Sequence, residues 1–171
     1  MEKGTFKDLL DKLRVALSRQ ISASVANKDK EIFAYEIDDD TMELLERQTD
    51  TQENNVKIDF LCSDLFDKVS GKYDIIISNP PYIAYDEIID EKVEKFEPHM
   101  ALYADNNGLY FYEEILKEAK NFINEGLICF EIGETQGEKI GDLIKKYLPG
   151  ASYSIQKDYP GKDRFIFIDL K

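Results

Sequence analysis

With 171 residues, 43% of them hydrophobic, the chain can form one domain with its own core, and it has no apolar run long enough for a bilayer span or a secretory signal. Its formal net charge of -13, with no basic run to offset it, disfavours binding to a phosphate backbone, which Lys and Arg normally neutralise. Cys62 and Cys129 lie in apolar runs without metal-ligand spacing, which predicts buried free thiols in a reducing, cytoplasmic compartment and no metal site.

In chain order, Phe6, Leu9, Leu10, Leu13, Ala16 and Leu17 recur at helical spacing, so residues 4–27 read as one or two amphipathic helices. Glu31 to Ile37 reads as a strand. Asp39 to Gln48 reads as a helix capped by Asp38 or Asp39. Val56 to Cys62 is a second strand, ending at Ser63-Asp64, and Tyr73 to Ser78 a third. Tyr82 to Ala104 is a long acidic loop with helical stretches, placed to act as a substrate lid. Asn107 to Asn124 is an amphipathic helix, Gly126 to Ile132 a strand and Gln136 to Tyr147 a helix. Ser152–Lys157 and Phe165–Leu170 are closing strands joined by the turn Tyr159-Pro-Gly-Lys-Asp163. Strands alternating with helices predict an α/β fold: a mainly parallel sheet ending in an antiparallel hairpin.

The most informative segment is Asn79-Pro80-Pro81-Tyr82, directly after the apolar run Ile75-Ile76-Ile77-Ser78. The prolines stop the strand, since neither donates a backbone hydrogen bond. A polar amide, two rigid residues and an aromatic ring are thus held at a strand's carboxyl end, where open α/β sheets bind ligands. A planar amino group, an amide or an adenine amine, can lie under the Tyr82 ring with its hydrogens on the Asn79 side-chain oxygen and the Pro80 carbonyl. Two such acceptors lower the barrier to alkylating a delocalised nitrogen, because they hold the developing positive charge better than the planar ground state. The plainer reading is a strand-terminating turn.

Four segments carry a resemblance: Ser78-Asn-Pro-Pro-Tyr-Ile83; Phe96-Glu-Pro-His-Met-Ala-Leu102 with Asn107-Gly-Leu-Tyr-Phe-Tyr112; Phe130-Glu-Ile-Gly-Glu-Thr-Gln-Gly137; and Asp158-Tyr-Pro-Gly-Lys-Asp-Arg164. From about Ile21 onward the chain resembles class I S-adenosylmethionine-dependent methyltransferases, and among them the HemK/PrmC release-factor glutamine methyltransferases. The resemblance implies a Rossmann-like sheet and methyl transfer to the glutamine amide of the Gly-Gly-Gln loop of peptide chain release factors. It implies that Asn79, Pro80, Pro81 and Tyr82 bind the substrate, with Asn79, Pro80 and Tyr82 acting in catalysis. It places Glu36 on the ribose hydroxyls of S-adenosyl-L-methionine, Asp64 near the adenine and Asn79 beside the cofactor. Without the resemblance, Glu36 reads as a solvated or capping acid and Asp64 as a helix N-cap. Glu131 and Gln136 match family positions with no chemistry attached.

The start of the chain departs from this pattern. Counted back from Ile21, the glycines of the family's Asp-x-Gly-x-Gly-x-Gly loop fall on Val15, Leu17 and Arg19, and its acidic start on Leu13; Ser18 alone fits. Bulky side chains there would fill space a cofactor needs, which predicts weak or absent cofactor binding. The reading is one catalytic domain over 1–171, with 1–20 atypical and the family's amino-terminal recognition domain absent. Residues 6–17, or a partner, would have to fill the central strand's slot. His99 reads as a loop-packing residue. Asp86, Glu87, Asp90, Glu91, Glu94 and Glu97 read as a solvated acidic face, or more weakly as a lure for a basic release-factor surface. Two competing functions remain: an adenine-N6 nucleic-acid methyltransferase, which the charge opposes, and a non-catalytic remnant that binds a release-factor loop.

Overall fold

In the computed structural model, which describes residues 23–26, 32–36, 58–89, 94–95 and 99–171, the strands are β1 (Ala23–Ala26), β2 (Ile32–Glu36), β3 (Ile58–Cys62), β4 (Ile75–Ser78), β5 (Gly126–Glu131), β6 (Ser152–Lys157) and β7 (Asp163–Leu170). Helices α3 (Tyr110–Phe122) and α4 (Gly137–Tyr147) follow two single turns, α1 (His99–Leu102) and α2 (Asp105–Gly108). The strands form a seven-stranded sheet in the order β3-β2-β1-β4-β5-β7-β6. β2, β3, β4, β5 and β6 point one way and β1 and β7 the other. The α/β class and the closing antiparallel hairpin match the sequence reading; the sheet itself is mixed, with parallel pairings at β2–β3 and β4–β5 and antiparallel ones elsewhere, because β1 and β7 are reversed.

β4 is buried along its whole length, as a strand with neighbours on both edges requires. α3 buries Tyr112, Ile115, Leu116 and Ala119, and α4 buries Gly137, Ile140, Gly141 and Ile144. That spacing makes one apolar stripe per helix. The stripes join Ile76, Ile128, Phe130, Ile166 and Ile168 in a single core. Each large aliphatic side chain buried there stabilises the fold by roughly 1.5–3 kcal/mol. Glu113 ties the two helices, accepting hydrogen bonds from Tyr147 Oη at 2.5 Å and Lys146 Nζ at 3.2 Å. Cys129 is buried and free, and burial pushes its thiol up to about 12.

Two expectations are corrected. α3 begins at Tyr110 rather than Asn107. Asn106, Asn107 and Gly108 take φ of 54°, 53° and 77°, a left-handed run that Asn and Gly tolerate best and that sets the turn α2 apart from the right-handed helix α3. The larger correction concerns the middle of the sheet. The helical reading of residues 4–27 fails at Ala23–Ala26, and it is this segment, not residues 6–17, that occupies the central slot. It lies antiparallel to both neighbours: Ala23 pairs with Tyr35 and Ser78, and Ala26 with Ile32 and Ile75. The physical reason is a period of two, Ile21-Ser-Ala-Ser-Val-Ala26, overshadowed by the helical pattern before it. Without it β2 and β4 would each present an unpaired edge. The helix expected over Asp39–Gln48, and the positions Leu13, Val15, Leu17, Ser18 and Arg19, lie outside the described residues.

Candidate active site

The carboxyl ends of β2, β3 and β4 lie along one edge of the sheet. Glu36 closes β2 in register with Cys62, Ser63-Asp64 follows β3, and Asn79 follows β4. Ser63 caps its own turn: its Oγ accepts the Lys68 N–H at 3.1 Å and donates to the Leu65 carbonyl at 3.2 Å. The Asp64 carboxylate is left exposed, with no hydrogen bond among the described residues. The capping role considered for Asp64 therefore belongs to Ser63.

Past Ser78 the chain turns through Asn79 and buried Pro80 to half-buried Pro81 and Tyr82. Asn79 Oδ1 is shielded from solvent and accepts no hydrogen bond among the described residues. Native interiors rarely leave such an acceptor unpaired, because its lost hydration costs about 1–3 kcal/mol. An orphaned acceptor at a strand's carboxyl end is a feature of a ligand site, where a bound donor restores the bond.

Tyr82 is positioned from two sides. Its hydroxyl accepts from Arg164 Nη1 at 3.4 Å. Arg164 in turn donates through Nε and Nη2 to Asp158 Oδ2, at 3.3 Å each. Asp158 also accepts the Lys162 N–H at 2.8 Å, and that bond, then Arg164, holds its carboxyl below the usual range. Burial, reinforced by the Glu131 carboxylate and opposed by Arg164, raises the Tyr82 phenol above its ordinary value. Burial likewise raises the Glu131 carboxyl, against the pull of Arg164. Tyr82 therefore stays a neutral phenol at physiological pH and offers its ring, not a base. On the other side Gln136 Nε2 donates to the Tyr82 carbonyl at 2.9 Å. The chain beyond is fixed by Ile83 N–H on the Leu102 carbonyl at 3.0 Å and Ala104 N–H on the Ile83 carbonyl at 2.9 Å. Gly108, Gln136 and Arg164 all fall within the motifs that carry the resemblance, and Gln136 was noted as matching a family position, but sequence reasoning gave none of them a role at the site.

His99 stacks obliquely on Tyr103, with ring centroids 5.5 Å apart. Asp86, Glu87 and Glu94 are exposed, while Asp90, Glu91 and Glu97 lie outside the described residues. Tyr103 Oη donates to Glu94 Oε1 at 3.4 Å. A cleft lined by Lys120, Ile123, Asn124, Leu148 and Leu170 lies at the amino end of β5, the far edge of the sheet from Asn79.

A buried, unpartnered amide oxygen followed in the chain by an aromatic ring suits the binding of a planar nitrogen donor. The sequence pattern of the methyltransferase small domain matches residues 20–126. The chain belongs to that family. The resemblance to its HemK/PrmC branch is also borne out. The chain is 36% identical over 151 residues to a release factor glutamine methyltransferase of Lactococcus lactis, covering 86% of this chain and 55% of the relative. A release factor glutamine methyltransferase of Streptococcus pneumoniae is 35% identical over 144 residues, with 82% and 51% covered. The chain thus spans about half the length of the curated relatives it matches. In fold it is similar to a methyltransferase from Pyrococcus furiosus, with a TM-score of 0.54 at 23% identity, over 81% of this chain and 61% of that one. A putative methyltransferase complexed with SAH superposes with a TM-score of 0.52 at 12% identity, over 81% and 38%. No described helix is long and apolar enough to cross a membrane.

Proposed function

We propose that this chain is the catalytic domain of an S-adenosyl-L-methionine-dependent enzyme that methylates the glutamine side-chain nitrogen in the Gly-Gly-Gln loop of a peptide chain release factor. The observation that carries the reading is the buried, unpartnered Asn79 Oδ1 at the end of β4. A primary carboxamide under the Tyr82 ring would give one N–H to this oxygen and the other to the Pro80 carbonyl. Both acceptors favour the amide nitrogen as it gains positive charge more than they favour the planar substrate. No base is required before attack, which fits a Tyr82 held neutral.

The residues along the same edge fit the cofactor. Glu36 is the last residue of β2, and its carboxylate would accept the two ribose hydroxyls. The exposed Asp64 and the orphaned Asn79 acceptor lie on either side of that line. When bound, the cofactor supplies an electrophilic methyl group; the chain's own part is to orient the acceptor nitrogen and shield it from water. Transfer of labelled methyl from S-adenosyl-L-methionine to a release factor, lost in Asn79→Ala, tests the reading. Transfer to DNA or tRNA instead would sink it in favour of adenine methylation, which the charge of -13 disfavours.

One observation favours a second reading, binding without transfer. The carboxyl end of the central strand β1, Ala26, lies at the opposite edge beside Ile32 and Ile75. β1 is thus reversed relative to β2 and β4, and its amino end, Ala23, is the one beside Ser78, preceded in the sequence by Val15, Leu17 and Arg19 rather than by glycines. Affinity for a Gly-Gly-Gln peptide without methyl transfer marks that outcome.

A further inference from the structure

Gln136 is 8% exposed, on the turn between β5 and α4, and its carboxamide joins three segments that are distant in sequence. Its Oε1 accepts the Gly133 N–H at 3.0 Å. Its Nε2 donates to the Tyr82 carbonyl at 2.9 Å and to the Gly108 carbonyl at 3.3 Å. The donor at Gly133 and the two carbonyls opposite assign the amide's orientation without ambiguity. Gly108 presses on the same carbonyl from its own turn. A Cβ there would collide with the Tyr82 carbonyl oxygen, and the φ of 77° already excludes most side chains. Pro80 and Pro81 fix the chain before Tyr82, and the Ile83 bridge to Tyr103 fixes it after. The peptide unit following Tyr82 has a polar anchor in Gln136 and a steric one in Gly108.

We propose that Gln136 is a positioning residue for the methyl-acceptor pocket. It holds the Tyr82 carbonyl, and through it sets the direction of the Tyr82 ring relative to Asn79. The inference rests on the methyl-acceptor reading above. A side chain that only filled the core would be replaceable by an apolar one of equal length. A side chain that aims the loop is not, because the Tyr82 carbonyl then loses its donor and the loop is free to shift to find another.

The test uses Gln136→Leu and Gln136→Glu in the full chain. Glutamate keeps the shape and the bond from Gly133 but loses both donors. Hydrogen exchange is followed by mass spectrometry over residues 82–104 and over the β5–β7 pairing, together with the dissociation constant for a Gly-Gly-Gln peptide. In both variants, protection of the Ile83 and Ala104 amides falls while β5–β7 protection holds, and the peptide binds about tenfold more weakly. Wild-type peptide affinity in either variant, or a uniform loss of protection across the sheet, overturns the inference. A wild-type chain that fails to bind the peptide overturns the functional reading instead, and the exchange pattern then decides alone whether Gln136 fixes the loop.

Discussion

Replacing Asn79 by leucine should raise stability while removing function. In the unliganded chain Asn79 Oδ1 is buried with no partner among the described residues, a debt of about 1–3 kcal/mol. Leucine has the same branched skeleton, a larger volume and no acceptor. An imperfect fit of its branched end gives back part of that gain, leaving a net stabilisation of about 1 kcal/mol. For a domain of this size that is a rise of roughly 2–4 °C in Tm. With the peptide bound the sign reverses. The substrate amide N–H loses its acceptor, again at about 1–3 kcal/mol, or roughly 5- to 150-fold in Kd. Methyl transfer falls further, by about 10²–10³, the range seen when a group aimed at developing charge is removed. Paired thermal melts and peptide titrations read both effects. A Tm lowered by several degrees with peptide affinity intact would refute the reasoning, because Asn79 would then be a structural turn residue. Residues kept for function at a cost in stability are where such opposed effects are found.

Tyr82→Phe keeps the ring and loses only the long contact with Arg164, so methyl transfer and peptide affinity should stay within about threefold, whereas Tyr82→Ala costs about 1–3 kcal/mol of each; equal losses in both would return the hydroxyl to a chemical role. S-adenosyl-L-methionine should bind weakly by isothermal titration, so that methyl transfer needs high cofactor concentration, given Val15, Leu17 and Arg19 at the glycine positions and β1 reversed in the central slot; a tight, low-micromolar isotherm contradicts this. Cys129 should resist thiol reagents at pH 8 until the chain unfolds, because burial raises its thiol to about 12. With the folded value above the unfolded one near 8.5, the neutral thiol's contribution is complete below that pH and lost as pH rises toward the folded value; denaturant midpoints that do not fall in Cys129→Ser-corrected melts between pH 9 and 11 count against it. Gly126→Ala should lower the unfolding free energy, read by denaturant titration, by more than about 1 kcal/mol, since its φ is 146° and a Cβ would strike the Asp74 carbonyl oxygen.

What was legible in the sequence, and what was not, divides by the distance over which a residue acts. Asn79 declared itself locally: a buried apolar run, then two prolines, then an aromatic ring. The strand-to-helix alternation after Ile58 was equally plain, because each amphipathic stripe is a property of its own segment. Asn106-Asn107-Gly108 carried a local signal too, three residues suited to positive φ, and it was overrun by the helical pattern of Tyr112, Ile115, Leu116 and Ala119 immediately after. The central strand was hidden for a similar reason. Ile21 to Ala26 alternates, yet its direction depends on β2 and β4, which decide only in the folded sheet which way an inserted strand runs.

Gln136 shows why the rest of the site could not be read. A glutamine between a strand and a helix has the composition of a surface turn. Its donors meet the carbonyls of Tyr82, 54 residues away, and Gly108, 28 residues away, and nothing in its neighbourhood of sequence records either. The same holds for Arg164, which reaches Tyr82 across 82 residues through the β6–β7 turn. A substrate pocket can be announced by one motif, because the motif supplies the groups that touch the ligand. The groups that aim the motif come from wherever the sheet order brings them, here from the turn after β5 and from the far end of the closing hairpin. That order places β5 beside β4 and β7 beside β5, so the neighbours of the Asn79–Tyr82 loop were bound to come from these two strands, and a search for its supports belonged at their ends.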